Sequence, residues 1–144
     1  MQHLTVALVV EDQGKYLMVQ EDKAQGLVWN QPAGHVENGE SLTAAAQREC
    51  LEETGHQVEL LHLIGLYSYL AANGQTYCRV CFAAKSLGQI SHQLDPDIER
   101  TDWLSLDELN TLPLRSPLVL AAIEHHQQQQ AYPLQMIHNF GVPA

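Results

Sequence analysis

Glu49, Glu52 and Glu53 are the residues whose spacing most directly implies chemistry. They fall within Ser41 to Thr54, a stretch rich in alanine that predicts a helix, with Ser41 as its N-cap and Gly55 at a left-handed terminus. At about 100° per residue the three carboxylates lie near 0°, 300° and 40°, inside one arc of roughly 100°. Like charges three and four residues apart cost a helix roughly 0.2–0.5 kcal/mol per pair, so stability alone does not favour the grouping. A divalent cation reverses that penalty, and all-oxygen donors suit Mg2+ or Mn2+. The bland alternative is a solvated acidic face. Against it, these acids are not spaced among lysines, and the preceding glycine-bearing loop can bring backbone oxygens to the same ion.

The wider spacing is more specific. Gly34, Glu40, Arg48, Glu49, Glu52, Glu53 and Gly55 read as glycine, five residues, glutamate, seven residues, Arg-Glu, two residues, Glu-Glu, one residue, glycine. At average residue usage a chance match is on the order of 10⁻⁸ to 10⁻⁹ per starting position, which is negligible over so short a chain. Residues 34–56 resemble the Nudix box of the Nudix hydrolase family. Two positions depart from the family pattern: Cys50 and His56 stand where bulky apolar residues are expected. Cys50 is apolar enough to pack, and His56 removes no chemistry.

The resemblance implies a Nudix-type α/β/α sandwich around a mixed β-sheet. It also implies a loop–helix–loop that binds one to three divalent cations, magnesium or alternatively manganese. Glu49, Glu52 and Glu53 would be ligands or would orient the attacking water, and the carbonyl of Gly34 would be a further ligand. Arg48 matches the family arginine that holds a glutamate in place, so the catalytic set is Glu52, Arg48 and Glu49. The cation would neutralise a diphosphate, polarise its P–O bonds and lower the pKa of a bound water.

Outside the box, Trp29 to His35, Arg115 to Val119 and Tyr132 to Ile137 are similar to the phosphatase NudJ subfamily, as is nearly the whole chain. Members of that subfamily hydrolyse hydroxymethylpyrimidine pyrophosphate and thiamine pyrophosphate and release phosphate from nucleoside tri- and diphosphates. The implied partner is therefore a small diphosphate or triphosphate. Two other readings remain: a Nudix hydrolase specific for ADP-ribose or a damaged nucleotide, and a non-catalytic ligand sensor. The complete set of box acids disfavours the sensor.

Other residues admit two readings each. Arg115 is a phosphate clamp or a surface residue at a helix start. Trp29 stacks on a heterocycle or belongs to the core. Asn30 and Gln31 bond a pyrimidine edge or close a turn. His35 reads as a loop residue and His125-His126 as a helix end. The run Asp95 to Glu99 is a solvated acidic loop or, through Asp97 or Glu99, the source of the general base or of a further ligand; Glu52 and Glu49 are the other candidates for the base.

Regular elements must hold these groups. Thr5 to Val10, Lys15 to Gln20 and Leu27 to Gln31 read as strands, the last ended by Pro32 and Gly34. Val58 to Leu70 and Gln75 to Lys85 read as strands joined at Asn73-Gly74. A short strand over 101–104 leads into a helical turn capped by Ser105, and Ser116-Pro117 opens a helix reaching His126. The tail, residues 131–144, is expected to dock through Tyr132, Met136, Ile137 and Phe140. Mixed strands with two substantial helices give the α/β class, and without repeats or linkers residues 1–144 read as one domain.

Composition narrows the partners. The 144 residues carry 17 acids against 7 lysines and arginines, a formal charge of −10. Such a surface repels phosphate polymers, so nucleic acid is not an expected partner, and a small anionic substrate needs a bridging cation. No apolar run reaches the roughly 20 residues of a membrane span, and the first ten residues lack a signal pattern. The expected location is cytoplasmic. Three cysteines read as free thiols; Cys78 and Cys81 have half a zinc-site spacing but sit on a strand where they face opposite sides. The oligomeric state is open, and a monomer is compatible.

Overall fold

The computed structural model describes residues 2–144. The strands are β1 (Gln2–Asp12), β2 (Lys15–Lys23), β3 (Gly26–Asn30), β4 (Ala33–His35), β5 (His56–Leu70), β6 (Thr76–Gln89) and β7 (Ile98–Ser105). The helices are α1 (Leu42–Thr54), α2 (Leu106–Leu109) and α3 (Leu118–Gln127), followed by a 3-10 turn at Leu134–Met136. Strand order is β3-β2-β1-β6-β5, with β4 against β1 and β7 against β2. The β1–β6 pair is parallel and the rest are antiparallel, so the sheet is mixed.

The apolar run in β1 explains the layering. A strand buried on both faces has no polar alternation, and Val6 to Val10 are all buried. Val6, Leu8 and Val10 pack under α1 with Ala45, Ala46 and Cys50. Ala7 and Val9 pack on the other side under α3 with Val119, Ala122 and Ile123. This is the α/β/α sandwich expected of the α/β class. The small side chains with which α1 meets the sheet leave its remaining faces free for charged groups. Burial pushes the Cys50 thiol up to about 12, which marks it as packing material. All three cysteines are free, with Cys78 half-buried.

Both ends of α1 are set as expected. Ser41 Oγ accepts from the Ala44 amide, and Gly55 adopts φ 75° while its N–H donates to the Leu51 carbonyl. The Gly55 carbonyl in turn accepts from the amides of Ile90 and Ser91. At the other end of the chain, Ser105 and Glu108 form a capping box that starts α2.

Three local features refine the expectations. β3 ends at Asn30, before Pro32 as expected, but the chain then rejoins the sheet: the Pro32 carbonyl accepts from Leu8 N, and Ala33–His35 form β4 on β1, pairing Val6 with Gly34. The β5–β6 connection is a five-residue loop, because pairing stops at Leu70↔Thr76 and the Asn73 side chain accepts from Gln75 N. In the tail, Tyr132 pairs by backbone with Leu63, and Leu134 and Ile137 pack on the α1-side core. Tyr132, Met136 and Phe140, expected as anchors, are exposed. Among the described residues no helix is long and apolar enough to cross a membrane.

Gly55→Ala tests the α1 terminus. A Cβ there would lie 1.8 Å from the Ser91 carbonyl oxygen on top of the left-handed φ. The left-handed penalty alone is about 1–2 kcal/mol, and the backbone clash adds to it. Thermal denaturation should show a loss of at least about 2 kcal/mol; an unchanged Tm would refute this account of the α1–β5 junction.

Candidate active site

Arg48 gathers the acidic segment. Its Nε and Nη2 donate to the two oxygens of Glu40 at 2.7 and 3.0 Å. Its Nη1 donates to Glu49 at 2.8 Å and Glu52 at 3.2 Å, and Nη2 also reaches the His35 carbonyl at 3.0 Å. Such forked, charge-assisted bonds fix direction as well as distance. They hold the Glu40 carboxyl below its ordinary pKa, chiefly through the hydrogen bond itself. Glu37 stands 3.6 Å from the same guanidinium but is mostly exposed, so it contributes little.

The loop and helix meet at Gly34. A Cβ on Gly34 would fall 2.1 Å from the Glu49 carboxyl carbon, so only glycine lets the β4 backbone lie against that carboxylate. Carboxylate oxygens of Glu49, Glu52 and Asp95 all lie within 4.8 Å of one another. Burial pushes the Glu49 carboxyl above its ordinary value; Glu52 and Asp95 add to the rise while Arg48 opposes it. Glu53, on the same helix, is 9% exposed and accepts from the Ala33 amide at 2.9 Å. Its pKa is pushed up to about 9, mainly by burial, with the charges of Glu21, Glu49 and Asp95 adding to the rise. Acids converge here, and among the described residues Arg48 alone is in ion-pair contact with Glu49 and Glu52. A hard divalent cation fits this all-oxygen donor set.

Asp95 is the functional candidate that sequence reasoning missed. The loop acids singled out, Asp97 and Glu99, are exposed and lie outside the three-residue cluster. Asp95 is brought in because its amide donates to the Glu52 carbonyl at the end of α1, at 2.9 Å. The free carbonyls of the last helical turn were the available signal, since a helix end must find donors.

The proposed substrate residues separate. Trp29 is 3% exposed and packs with Tyr16, Met18 and Leu104, with Arg100 over its ring at 5.2 Å, so the indole offers no free stacking face. Its backbone accepts from Arg115 N, which anchors the exposed Arg115 beside β3. Asn30 is buried: its amide donates at 3.4 Å to Glu21, while its Oδ1 has no partner. Gln31 is buried and donates to the Val119 carbonyl at 2.7 Å, tying β3 to α3. His35 lies on β4, its ring against His3. His125 bonds Tyr67 and His126 bonds Glu11, so both pin the end of α3. His56 starts β5 and bonds Ser86.

Comparison with known proteins agrees with this geometry. The model of the NUDIX domain matches residues 1–123. Phosphatase NudJ of Escherichia coli strain K12 is 42% identical over 98% of this chain and 94% of that protein, and the Shigella flexneri protein of the same name gives the same figures. A NUDIX hydrolase from Nitrosomonas europaea superposes with a TM-score of 0.94 at 38% identity, covering 98% of this chain and 99% of that one. The NUDIX domain of Shewanella oneidensis NrtR, solved with ADP ribose, gives 0.72 at 25% identity, covering 90% and 88%.

Gly34→Ala separates site geometry from fold. The clash is with the carboxylate end of a side chain and not with backbone, and Gly34 has no positive φ, so the fold should accommodate it. We expect Tm to stay near that of the unaltered protein while turnover falls at least about tenfold, the scale of a misplaced supporting group. Full activity with an intact fold would show that the Gly34–Glu49 contact is dispensable.

Proposed function

The chain belongs to the NUDIX family and is a pyrophosphohydrolase acting on acid anhydrides; we propose that it cleaves small phosphorylated metabolites with the help of Mg2+. The proposed substrates are hydroxymethylpyrimidine pyrophosphate and thiamine pyrophosphate, with nucleoside tri- and diphosphates also accepted and phosphate released. The observation that carries this reading is the convergence of Glu49, Glu52 and Asp95 within 4.8 Å beside the Gly34 loop.

Gly34, through its carbonyl, and Glu49, Glu52 and Glu53 are the assigned metal ligands, with Asp95 joining them. When bound, the cation neutralises the diphosphate and polarises its P–O bonds. The protein supplies position. Arg48 holds Glu49 and Glu52 in fixed directions and so acts on the reaction through them. Glu52 is the most exposed acid in contact with Arg48 apart from Glu37, which suits it to take the proton from the attacking water. Arg115 clamps a phosphoryl group, and Trp29 holds Arg115 by its backbone.

A preference for ADP-ribose is the second reading, supported by the ligand of the Shewanella oneidensis domain. The scarcity of basic residues favours a compact diphosphate held mainly by metal over a long one.

Release of phosphate should be measured with Mg2+ across thiamine precursors, nucleotides, ADP-ribose and dinucleoside polyphosphates. The thiamine-type diphosphates should give a kcat/KM above that of ADP-ribose, and chelation should abolish turnover. Glu52→Gln and Asp95→Asn should each lower turnover on the order of a hundredfold with little change in Tm, the usual scale for charge aimed at a reacting centre. Higher kcat/KM for ADP-ribose would reject the substrate class alone; activity that survives chelation would reject the chemistry.

A further inference from the structure

Arg79 differs from the other cations of this chain. It lies within β6 and is 9% exposed, yet among the described residues it forms no ion pair. Its guanidinium makes one long hydrogen bond, Nη1 to Gln31 Oε1 at 3.4 Å. A buried guanidinium without a counter-charge is strongly unfavourable, and burial pushes its pKa down. Gln31 is itself fixed, since its Nε2 donates to the Val119 carbonyl and leaves its oxygen facing Arg79.

Arg79 keeps donors that no described protein group accepts. Among the described side-chain atoms, Asn30 Oδ1 alone is both sealed and unbonded. The remaining nitrogens of Arg79 are neither bonded nor sealed, so they touch solvent. Strand register places Arg79 relative to the Gly34 loop. Arg79 pairs with Thr5 on β1, and Thr5 pairs with His35, the residue after Gly34. The same sheet face carries Tyr77 two residues before Arg79, stacked on His3 at 4.7 Å between ring centres. Burial dominates the environment of Arg79, and the charges of Arg115, Glu21 and Glu53 are also felt there.

The remaining basic residues leave few other choices. Lys23, Arg48, Lys85 and Arg100 each have carboxylate partners, and Lys15 lies at the β1–β2 turn. Arg79 and Arg115 are left for an anion. We propose that Arg79, aimed by Gln31, is an anion receptor of the substrate site and binds the phosphoryl oxygens of a diphosphate on the side away from Glu49, Glu52 and Asp95. The assignment rests on the diphosphatase reading above and adds a receptor in the sheet itself. It also explains why a buried strand carries an arginine, for which packing gives no reason.

The test uses methylenediphosphonate, a diphosphate that cannot be hydrolysed at its bridge, titrated by calorimetry in saturating Mg2+. Arg79→Gln should weaken its binding at least tenfold and raise KM for the hydrolysed substrate by a similar factor. Mg2+ binding measured alone should stay within twofold, which a merely disrupted site would not show. Arg79→Lys keeps the charge and loses the fork, so it should recover part of the affinity while remaining at least threefold weaker than the original. If Arg79→Gln does not fold, the lysine variant decides: affinity equal to the original overturns the proposal. Binding unchanged in Arg79→Gln overturns the role of Arg79 and leaves the diphosphatase reading intact. No binding by the unaltered protein overturns both.

Discussion

One guanidinium holds the acidic segment together. Arg48 bonds two oxygens of Glu40, one each of Glu49 and Glu52, and the carbonyl of His35. It thereby joins the loop before α1, the helix itself and strand β4. Without it, the carboxylates on this face would repel one another and the loop would lose its main polar tie to the helix. The cost of grouping acids is thus partly offset inside the protein, and the remaining unbalanced charge at Glu49, Glu52 and Asp95 is what suits the site to a cation.

The rest of the fold serves that arrangement by being rigid and thin where it must be. β1 is buried on both faces, so it fixes the heights of α1 and α3 relative to the sheet. α1 meets the sheet through Ala45, Ala46 and Cys50, which lets the helix lie close. β4 then runs along β1 with Gly34 against the Glu49 carboxylate, a contact that depends on the absence of a side chain. Small residues at both places turn a packing distance into a placement of charge.

Much of this was legible in the residues. The box spacing, the helix limits at Ser41 and Gly55, and the apolar run of β1 each carry a local physical signature, and each agrees with the structure. What was hidden depends on distant contacts. Asp95 has no motif around it; it matters because a loop amide meets the end of α1. Arg79 sits in an apolar strand whose pattern reads only as core, and its lack of a counter-charge is visible only when its neighbours are in place. β4 was obscured by Pro32, which bends the chain from one part of the sheet to another. Trp29 kept two readings because residue type does not say which side of a strand will be covered.

The bond between the Asp95 amide and the Glu52 carbonyl has a consequence for how the protein wears out. That single contact gives the last turn of α1 a donor and sets a carboxylate beside the cluster. The segment carrying Asp95, residues 90–97, has no regular structure and is largely exposed, so it opens at a lower free energy than the sandwich. Local opening of this clasp would displace the Asp95 carboxylate while the layers stayed packed. Durability in use would then depend on a few loop residues before it depended on the melting of the core.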